Sequence, residues 1–399
     1  MKKIIFLLLF SNFIFSNNIA FKDSVKAKNI TVFNTNYREF TVIAKSVYAI
    51  TNGDSLISIN LKKRKVTFLS SDIKSIQKTS NNELIGINSK GEIFTYVNRK
   101  LKIIDFVKGK FQKIYLDRND NPLIFSNLGL YYLKEYHIPT SDLKLFNSRN
   151  KNLPLRFPDY AYIDKKNRLW ISYDRGEWGE DTIIFDLLTK KFQSCENLYL
   201  NNEFDLVNNK LEFNKVMLDS FPGKLKIVND SIVYKFPYQL PIYNAIKGIS
   251  ENNRNEILIT QSLMHFDFSG GIYLIFEEQP YFSYYDLNSI IEKQNLKNQI
   301  ENNYEIINEY IGTCTYNEFD KHFYYYSDKG FFKIIIDKKI FSKEFIFRPW
   351  VTWTSGLALA VGYQMNVNKF EFLSKKEIVF LTANNGIGYF NGNVIIYYK

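Results

Sequence analysis

The sequence predicts an all-β protein, a β-propeller built from four-stranded antiparallel blades. Three observations lead there. Short runs alternate apolar and polar residues with a period of two, the spacing that turns one face of a strand toward a core. Asp, Asn and Gly separate these runs, as turns between strands require. The unit of run, turn, run, loop, run recurs along the chain, and several short strands repeated many times is the sequence pattern of a propeller.

The copies follow in order. They are VYAITNGDSLISIN from Val47, ELIGINSKGEIFTYV from Glu83, KIYLDRNDNPLIFSNLGLYYL at 113–133 and AYIDKKNRLWISYDRGEWGEDTIIFDL at 161–187. KLKIVNDSIVYKF from Lys224 is the poorest. EILITQSLMHFDFSGGIYLIF from Glu256, TYNEFDKHFYYYSDKGFFKIII at 315–336 and EIVFLTANNGIGYFNG from Glu377 complete the set. A fourth apolar run follows most copies: KVTFLS from Lys65, LKIIDFV from Leu101, KEFIFRP from Lys343 and VIIYY from Val394. Eight copies favour eight blades, and the weak match at Lys224 leaves seven as the alternative. LNSIIEKQNLKNQIENN, at 287–303, is polar and free of Gly and Pro. It predicts one small helical insertion on the surface. A chain of 399 residues has room for two or three domains, yet a large all-β fold can use that length as one. The repeat therefore predicts a single propeller over residues 30–399.

The first residues, MKKIIFLLLFSNFIFSNN, carry Lys2 and Lys3, then an apolar stretch from Ile4, then Ser16, Asn17 and Asn18. This is the layout of a secretory signal peptide, read here as residues 1–16 with cleavage between 16 and 20. The stretch is short for a membrane span, and no second long apolar run occurs. The expectation is an exported protein, periplasmic, cell-surface or secreted, with no transmembrane segment after signal removal. No Cys lies near the cleavage region, so no lipoprotein anchor is indicated. The formal net charge is +11. A basic surface attracts nucleic acid, anionic lipid or acidic glycans. The Lys residues are scattered and an exported protein rarely meets nucleic acid, so no nucleic-acid partner is expected. Cys195 and Cys314 are too few for a disulfide scaffold and read as two unpaired, mostly buried thiols, though an oxidising compartment permits a bond.

DKKNRLWIS, at 164–172, resembles the periplasmic propeller repeat of two-component regulators, in which a D-x-x-G-x-L-W-I turn leads into the second strand. Asn167 stands where that pattern has Gly. DRNDNPLIFSNLGLYYL from Asp117 also resembles it, including the Gly-Leu-Tyr that opens the next strand. The resemblance implies an extracytoplasmic propeller.

Four strands running back and forth put the first-to-second and third-to-fourth turns on one face. The second-to-third loops and the blade connections share the other, where unusual segments collect. YDRGEWGED (173–181) and TQSLMHFDFSGG (260–271) are second-to-third loops, and RPWVTWTSGLALAVGYQMN (348–366) is a blade connection. Rigid scaffolds carry function on such loops. The candidate ligand-binding residues are therefore Asp174, Arg175, Glu177, Trp178, Asp181, His265, Asp267, Arg348, Trp350 and Trp353. Flat indole rings suit sugar faces and peptide side chains, and Arg suits carboxylates. Trp170, inside a strand, reads as core. SGG at 269–271 reads as a turn.

The carboxylates of 174–181, Glu180 among them, offer oxygens to Ca²⁺, but the order of an EF-hand loop is absent. No cofactor and no metal site is expected. With three His in the chain a His-rich metal site is not expected, and no nucleophile elbow, Walker sequence or H-E-x-x-H occurs. The function predicted is an exported, non-enzymatic propeller that binds a protein, peptide or glycan through loops on one face. Two alternatives stand beside it. One is a propeller hydrolase or lyase for a glycan or lactone, with acids from several blades meeting at the channel mouth. The other is a structural component of a cell-envelope assembly.

Overall fold

Every regular element among the described residues is a β-strand. The computed structural model describes residues 26–30, 35–97, 100–140, 155–174, 180–194, 224–228, 231–235, 245–264, 268–275, 282–286, 310–337, 340–349, 367–383 and 385–399. The insertion expected as a helix at 287–303 lies outside them.

Strand β1 (Lys26–Ile30) comes first in the chain but belongs to the last blade. Blade 1 is β2 (Tyr37–Ile43), β3 (Ser46–Thr51), β4 (Leu56–Asn60) and β5 (Lys65–Ser70). Blade 2 is β6 (Ile73–Lys78), β7 (Leu84–Asn88), β8 (Glu92–Val97) and β9 (Lys100–Phe106). Blade 3 is β10 (Phe111–Leu116), β11 (Pro122–Ser126), β12 (Gly129–Tyr132) and β13 (Glu135–His137). Blade 4 is β14 (Tyr160–Ile163), β15 (Arg168–Asp174), β16 (Glu180–Asp186) and β17 (Lys191–Ser194). A two-stranded hairpin, β18 (Lys224–Val228) and β19 (Ser231–Lys235), follows in the sequence. Blade 5 is β20 (Ile246–Glu251), β21 (Ile257–Met264), β22 (Phe268–Ile275) and β23 (Phe282–Asp286). Blade 6 is β24 (Ile311–Asn317), β25 (His322–Ser327), β26 (Gly330–Asp337) and β27 (Ile340–Phe347). Blade 7 is β28 (Val367–Phe372), β29 (Ile378–Thr382), β30 (Ile387–Phe390) and β31 (Val394–Tyr398).

Each blade is an antiparallel meander, and the blade count is seven, not the eight that the sequence favours. The copy at Lys224 is the one that fails: it forms only the β18–β19 hairpin. It cannot be wedged between blades 4 and 5, because these already touch. The Ile249 amide donates to the Tyr160 hydroxyl at 2.8 Å, and Trp170 packs with Ile249 and Ile257. The core confirms the number. Buried apolar residues form seven clusters, one in each seam between neighbouring blades, the last joining blade 7 to blade 1.

Alternation explains how one strand serves two seams. In β15, Leu169, Ile171 and Tyr173 enter the seam with blade 3, while Trp170 enters the seam with blade 5. The middle strands are covered on both sides, so they are apolar at nearly every position. Trp170 is 1% exposed and is core, as its place in the sequence suggests.

The first strands form the inner ring, and side chains stitch them together all the way round. Glu39 accepts from the Ser75 hydroxyl at 3.2 Å. Ser75 accepts from the Ile114 amide at 3.1 Å. The Gln112 side chain donates to the Pro158 carbonyl at 3.2 Å, and Tyr160 binds Ile249. Ser250 accepts from the Tyr316 amide at 2.7 Å, and Thr315 donates to the Phe370 carbonyl at 3.1 Å. Lys369 closes the ring by donating to the Phe40 carbonyl at 2.8 Å. Every seam is thus bridged by at least one hydrogen bond.

The first-to-second turns of blades 3, 4 and 5 share one device. Asp164 is 1% exposed. Its carboxylate accepts from the Lys166 and Arg168 amides, the Arg168 guanidinium and the Trp170 indole. Asp117 and Asn252 do the same for the amides of their own turns. Asn167 has φ of +57°, as do its counterparts Asp120 (+61°) and Asn255 (+60°). Left-handed backbone is where Gly is usual and Asn or Asp tolerated, so Asn167 can stand in for the pattern's Gly.

The seven sheets define two faces. The turn face carries the first-to-second and third-to-fourth turns. The loop face carries the second-to-third hairpins and the connections between blades. Strand β1 pairs in parallel with β31, Lys26 opposite Val394 and Ile30 opposite Tyr398, as a fifth strand on a blade already complete.

Candidate functional site: the loop-face end of the inner ring

The inner strands enter from the loop face through a β-bulge in six of the seven blades. Register skips Arg38 in β2, Lys74 in β6, Gln112 in β10, Lys247 in β20 and Asn368 in β28. In β24 it skips Gly312 and Thr313. A bulged residue is released from the ladder and its side chain re-aimed, which is why bulges recur at binding sites. Here the device sets polar side chains from several blades at one height.

Two groups of charges form among them. Arg38 and Lys74 both clamp Asp54, which lies in the β3–β4 hairpin; the Lys74 ammonium is 2.5 Å away. Arg38 also donates to the Ile73 and Lys74 carbonyls at 2.6 and 2.8 Å. Burial pushes the Asp54 carboxyl up, but the two cations override it and hold it below its ordinary value. The second group begins at Asp174. The Lys247 ammonium lies 2.9 Å from its carboxylate and also hydrogen-bonds Tyr310. Burial lowers the Lys247 ammonium's affinity for its proton, Tyr310 and Asp174 restore it, and the net direction is upward. The Tyr310 amide donates to Asp328 at 2.8 Å. The Tyr326 hydroxyl feels the charges of Asp328 and Arg348, and its pKa is raised chiefly by burial. A polar line therefore runs from Asp174 in blade 4 to Asp328 in blade 6, with Arg348, at the exit of that blade, acting electrostatically on Tyr326 beside it. Asp159 joins it, accepting from the Asp174 amide at 2.9 Å and pairing with Arg156 at 3.3 Å.

Of the ten candidate residues, the structure describes Asp174, Asp181 and Arg348. Asp174 opens the polar line, and Arg348 lies beside it. Asp181 sits in β16 opposite Tyr173, one register step from the pair Asp174–Glu180. Arg175, Glu177, Trp178, His265, Asp267, Trp350 and Trp353 lie outside the described residues. Among the described residues no group of three or more His, Cys, Asp or Glu is placed to hold a metal. The segment read as a loop at 260–271 is mostly strand, a correction that includes SGG. Gln261 pairs with Gly271, Ser262 with Gly270 and Leu263 with Ser269. The polar run is tolerated there because blade 6 satisfies it: the buried Ser262 hydroxyl donates to the Ile311 carbonyl at 2.7 Å. Cys314 is free, buried and bonded through its thiol to the Leu258 carbonyl; burial pushes its pKa up to about 12. Cys195 lies outside the described residues.

Arg38, Lys74, Gln112, Lys247 and Asn368 were not among the sequence candidates. The signal was present. YREF, IKSI, FQKI, IKGI and VNKF all open first strands with apolar residues three apart, where an unbroken strand would space them by two. The extra residue is the bulge, and it is polar each time.

No family model and no curated protein matches the chain. Among solved structures, that of streptogramin B lyase superposes with a TM-score of 0.50 at 9% identity, over 91% of this chain and 95% of that one. Virginiamycin B lyase from Staphylococcus aureus gives 0.49 at 10% identity, over 92% and 99%. The extracellular domain of a hybrid two component system from B. thetaiotaomicron gives 0.47 at 11% identity, over 92% of this chain and 39% of that one. This chain thus spans about two fifths of that protein's length. At such identities the likeness concerns the propeller fold alone.

Proposed function

We propose that the chain is an exported propeller that binds a ligand or protein partner through its loop face. The polar line from Asp174 through Lys247 to Asp328, with Arg348 beside it, is the observation that supports this reading. It presents charged groups from three blades on a rigid ring, which suits recognition by pre-organised contacts. The export component rests on the N-terminal pattern of residues 1–16. The aromatic candidates Trp178, Trp350 and Trp353 are proposed to add stacking surface on the same face.

The test starts from glycan and peptide arrays probed with the full chain. A ligand found there is expected to lose about tenfold in affinity when Lys247 is replaced by Ala. A similar loss is expected when Trp178 and Trp353 are both replaced. Unchanged binding in these variants, with an unaltered melting profile, removes the loop face from consideration. Turnover of a captured glycan or lactone would replace the binding role with the hydrolase or lyase alternative.

A further inference from the structure

The two faces of the disc differ in how closely their exposed bases cluster. On the loop face, Arg38 and Lys74 are held by Asp54 and Lys247 by Asp174, while Lys90, Lys108, Lys110 and Lys329 are exposed and scattered over separate blades. On the turn face, where blades 7 and 1 meet, six bases gather in one patch. It comprises Lys45, Lys62, Lys63, Arg64, Lys375 and Lys376, all exposed. Lys62, Lys63 and Arg64 are consecutive in the β4–β5 turn, Lys45 comes from the β2–β3 turn, and Lys375 and Lys376 come from the β28–β29 turn. The two blades share a core through Phe40, Val379 and Tyr398, and Arg64 acts electrostatically on the Tyr398 hydroxyl across the seam. None of the six side chains has an ion pair or hydrogen bond with a described residue.

Exposed apolar residues lie on the same face. Leu188 is 76% exposed, Phe319 49%, Leu133 44% and Val97 39%. The first three sit in turns, and Val97 ends β8 beside one. Each turn residue has a base close by in sequence: Lys134 after Leu133, Lys190 after Leu188 and Lys321 after Phe319, of which Lys190 pairs with Glu135 at 3.1 Å and Lys321 with Glu318 at 3.0 Å. The loop face also exposes large apolar residues among those described: Leu128 at 40% in a hairpin, Ile138 at 50% in a blade connection and Phe106 at 54% at the end of β9. Chain direction adds a third fact. Lys26 pairs with Val394, just past the β30–β31 turn, so β1 begins at the turn face.

We propose that the turn face seats the protein on an anionic phospholipid bilayer. The clustered bases supply attraction to acidic headgroups, and the apolar turn tips enter the interface between headgroup and acyl chain. A soluble polyanion would account for the bases and leave the apolar tips without a role. A flat array of turns around a rigid disc matches a planar surface. This seat is independent of the loop-face binding proposed above and leaves that face turned away from the membrane.

Vesicle flotation tests it with the full chain lacking its signal. Vesicles of phosphatidylcholine with about 30% phosphatidylglycerol are compared with phosphatidylcholine alone, at low salt and at about 0.5 M salt. Binding is expected to the anionic vesicles at low salt and to fall at least about tenfold with neutral lipid or high salt. A variant carrying Lys62→Glu, Lys63→Glu, Lys375→Glu and Lys376→Glu is expected to lose it. A second variant, Leu188→Ser with Phe319→Ser, is expected to bind more weakly while keeping its salt dependence. Lys247→Ala is expected to bind vesicles as the unaltered chain does, which separates this proposal from the loop-face reading. Absence of binding by the folded chain at low salt overturns the proposal, as does equal binding by the charge-reversed variant. Capture by dextran sulfate without vesicle binding overturns it in favour of an acidic glycan.

Discussion

Replacing Asp164 by Ala would leave the Trp170 indole, two backbone amides and a largely buried guanidinium without their acceptor. Removing one member of a buried charge pair costs about 3–5 kcal/mol. Urea unfolding is expected to show a loss of that size, and a loss near zero would mean that water replaces the carboxylate. Read from sequence, this turn is ordinary hairpin chemistry. Its depth is invisible there because burial is decided by the neighbouring blades. Glu251 supplies a second residue-scale expectation. It is 6% exposed, Oε2 accepts from the Lys165 amide at 2.6 Å, and Oε1 has no partner among the described residues. Burial, with Asp164 adding to it, raises its pKa against the opposing pull of Lys165 and Arg118. A raised value in the fold means that the protonated form is favoured there. Its contribution to stability is complete below the unfolded value of about 4.3 and is lost as pH rises through the folded value. Glu251→Gln should therefore melt with the unaltered chain below about pH 4 and above it at neutral pH. Parallel melting curves across that range would refute the assignment.

Strands were the legible elements, because alternation and turn residues are local properties. The bulges were legible too, in the three-residue apolar spacing of YREF and its counterparts, but only a reader asking why alternation fails would find them. The extension of β21 and β22 was hidden by a polar run whose partners lie in blade 6. Gly248 marks the tightest inner-strand contact. A Cβ there would lie 2.5 Å from the Cys314 nitrogen and 2.8 Å from the Thr260 hydroxyl. Gly248→Val is expected to force blades 5 and 6 apart at a cost of about 1–3 kcal/mol, read from the urea midpoint. Strand β1 is the opposite case. Blade 7 has four strands without it, so a chain starting at Thr35 should keep the fold and lose about 2–4 °C in melting temperature.

At the scale of the whole molecule the repeat predicted the architecture but not the blade count. A two-stranded hairpin has the alternation of half a blade, and whether it continues is decided by the closure of a ring that no local window contains. Closure has an energetic side. Ser75 bridges two seams at once, donating to Glu39 and accepting from Ile114. Ser75→Ala is expected to cost about 1–3 kcal/mol, since it leaves a buried amide and a carboxylate oxygen unmatched. Because the ring has no free end, hydrogen exchange should accelerate in distant inner strands as well as in β6. Acceleration confined to blades 2 and 3 would mean that the blades open independently.

Strands β1 and β31 lie side by side and point the same way, so β1 begins at one surface of the disc and β31 ends at the other. The two ends are therefore handles of opposite sense. A tether fused after Lys399 would hold the molecule with its lysine-rich side outward, and one fused before Lys26 would display the bulged ring instead. Each surface can be offered to a probe by choice of anchor, with no residue of the propeller altered.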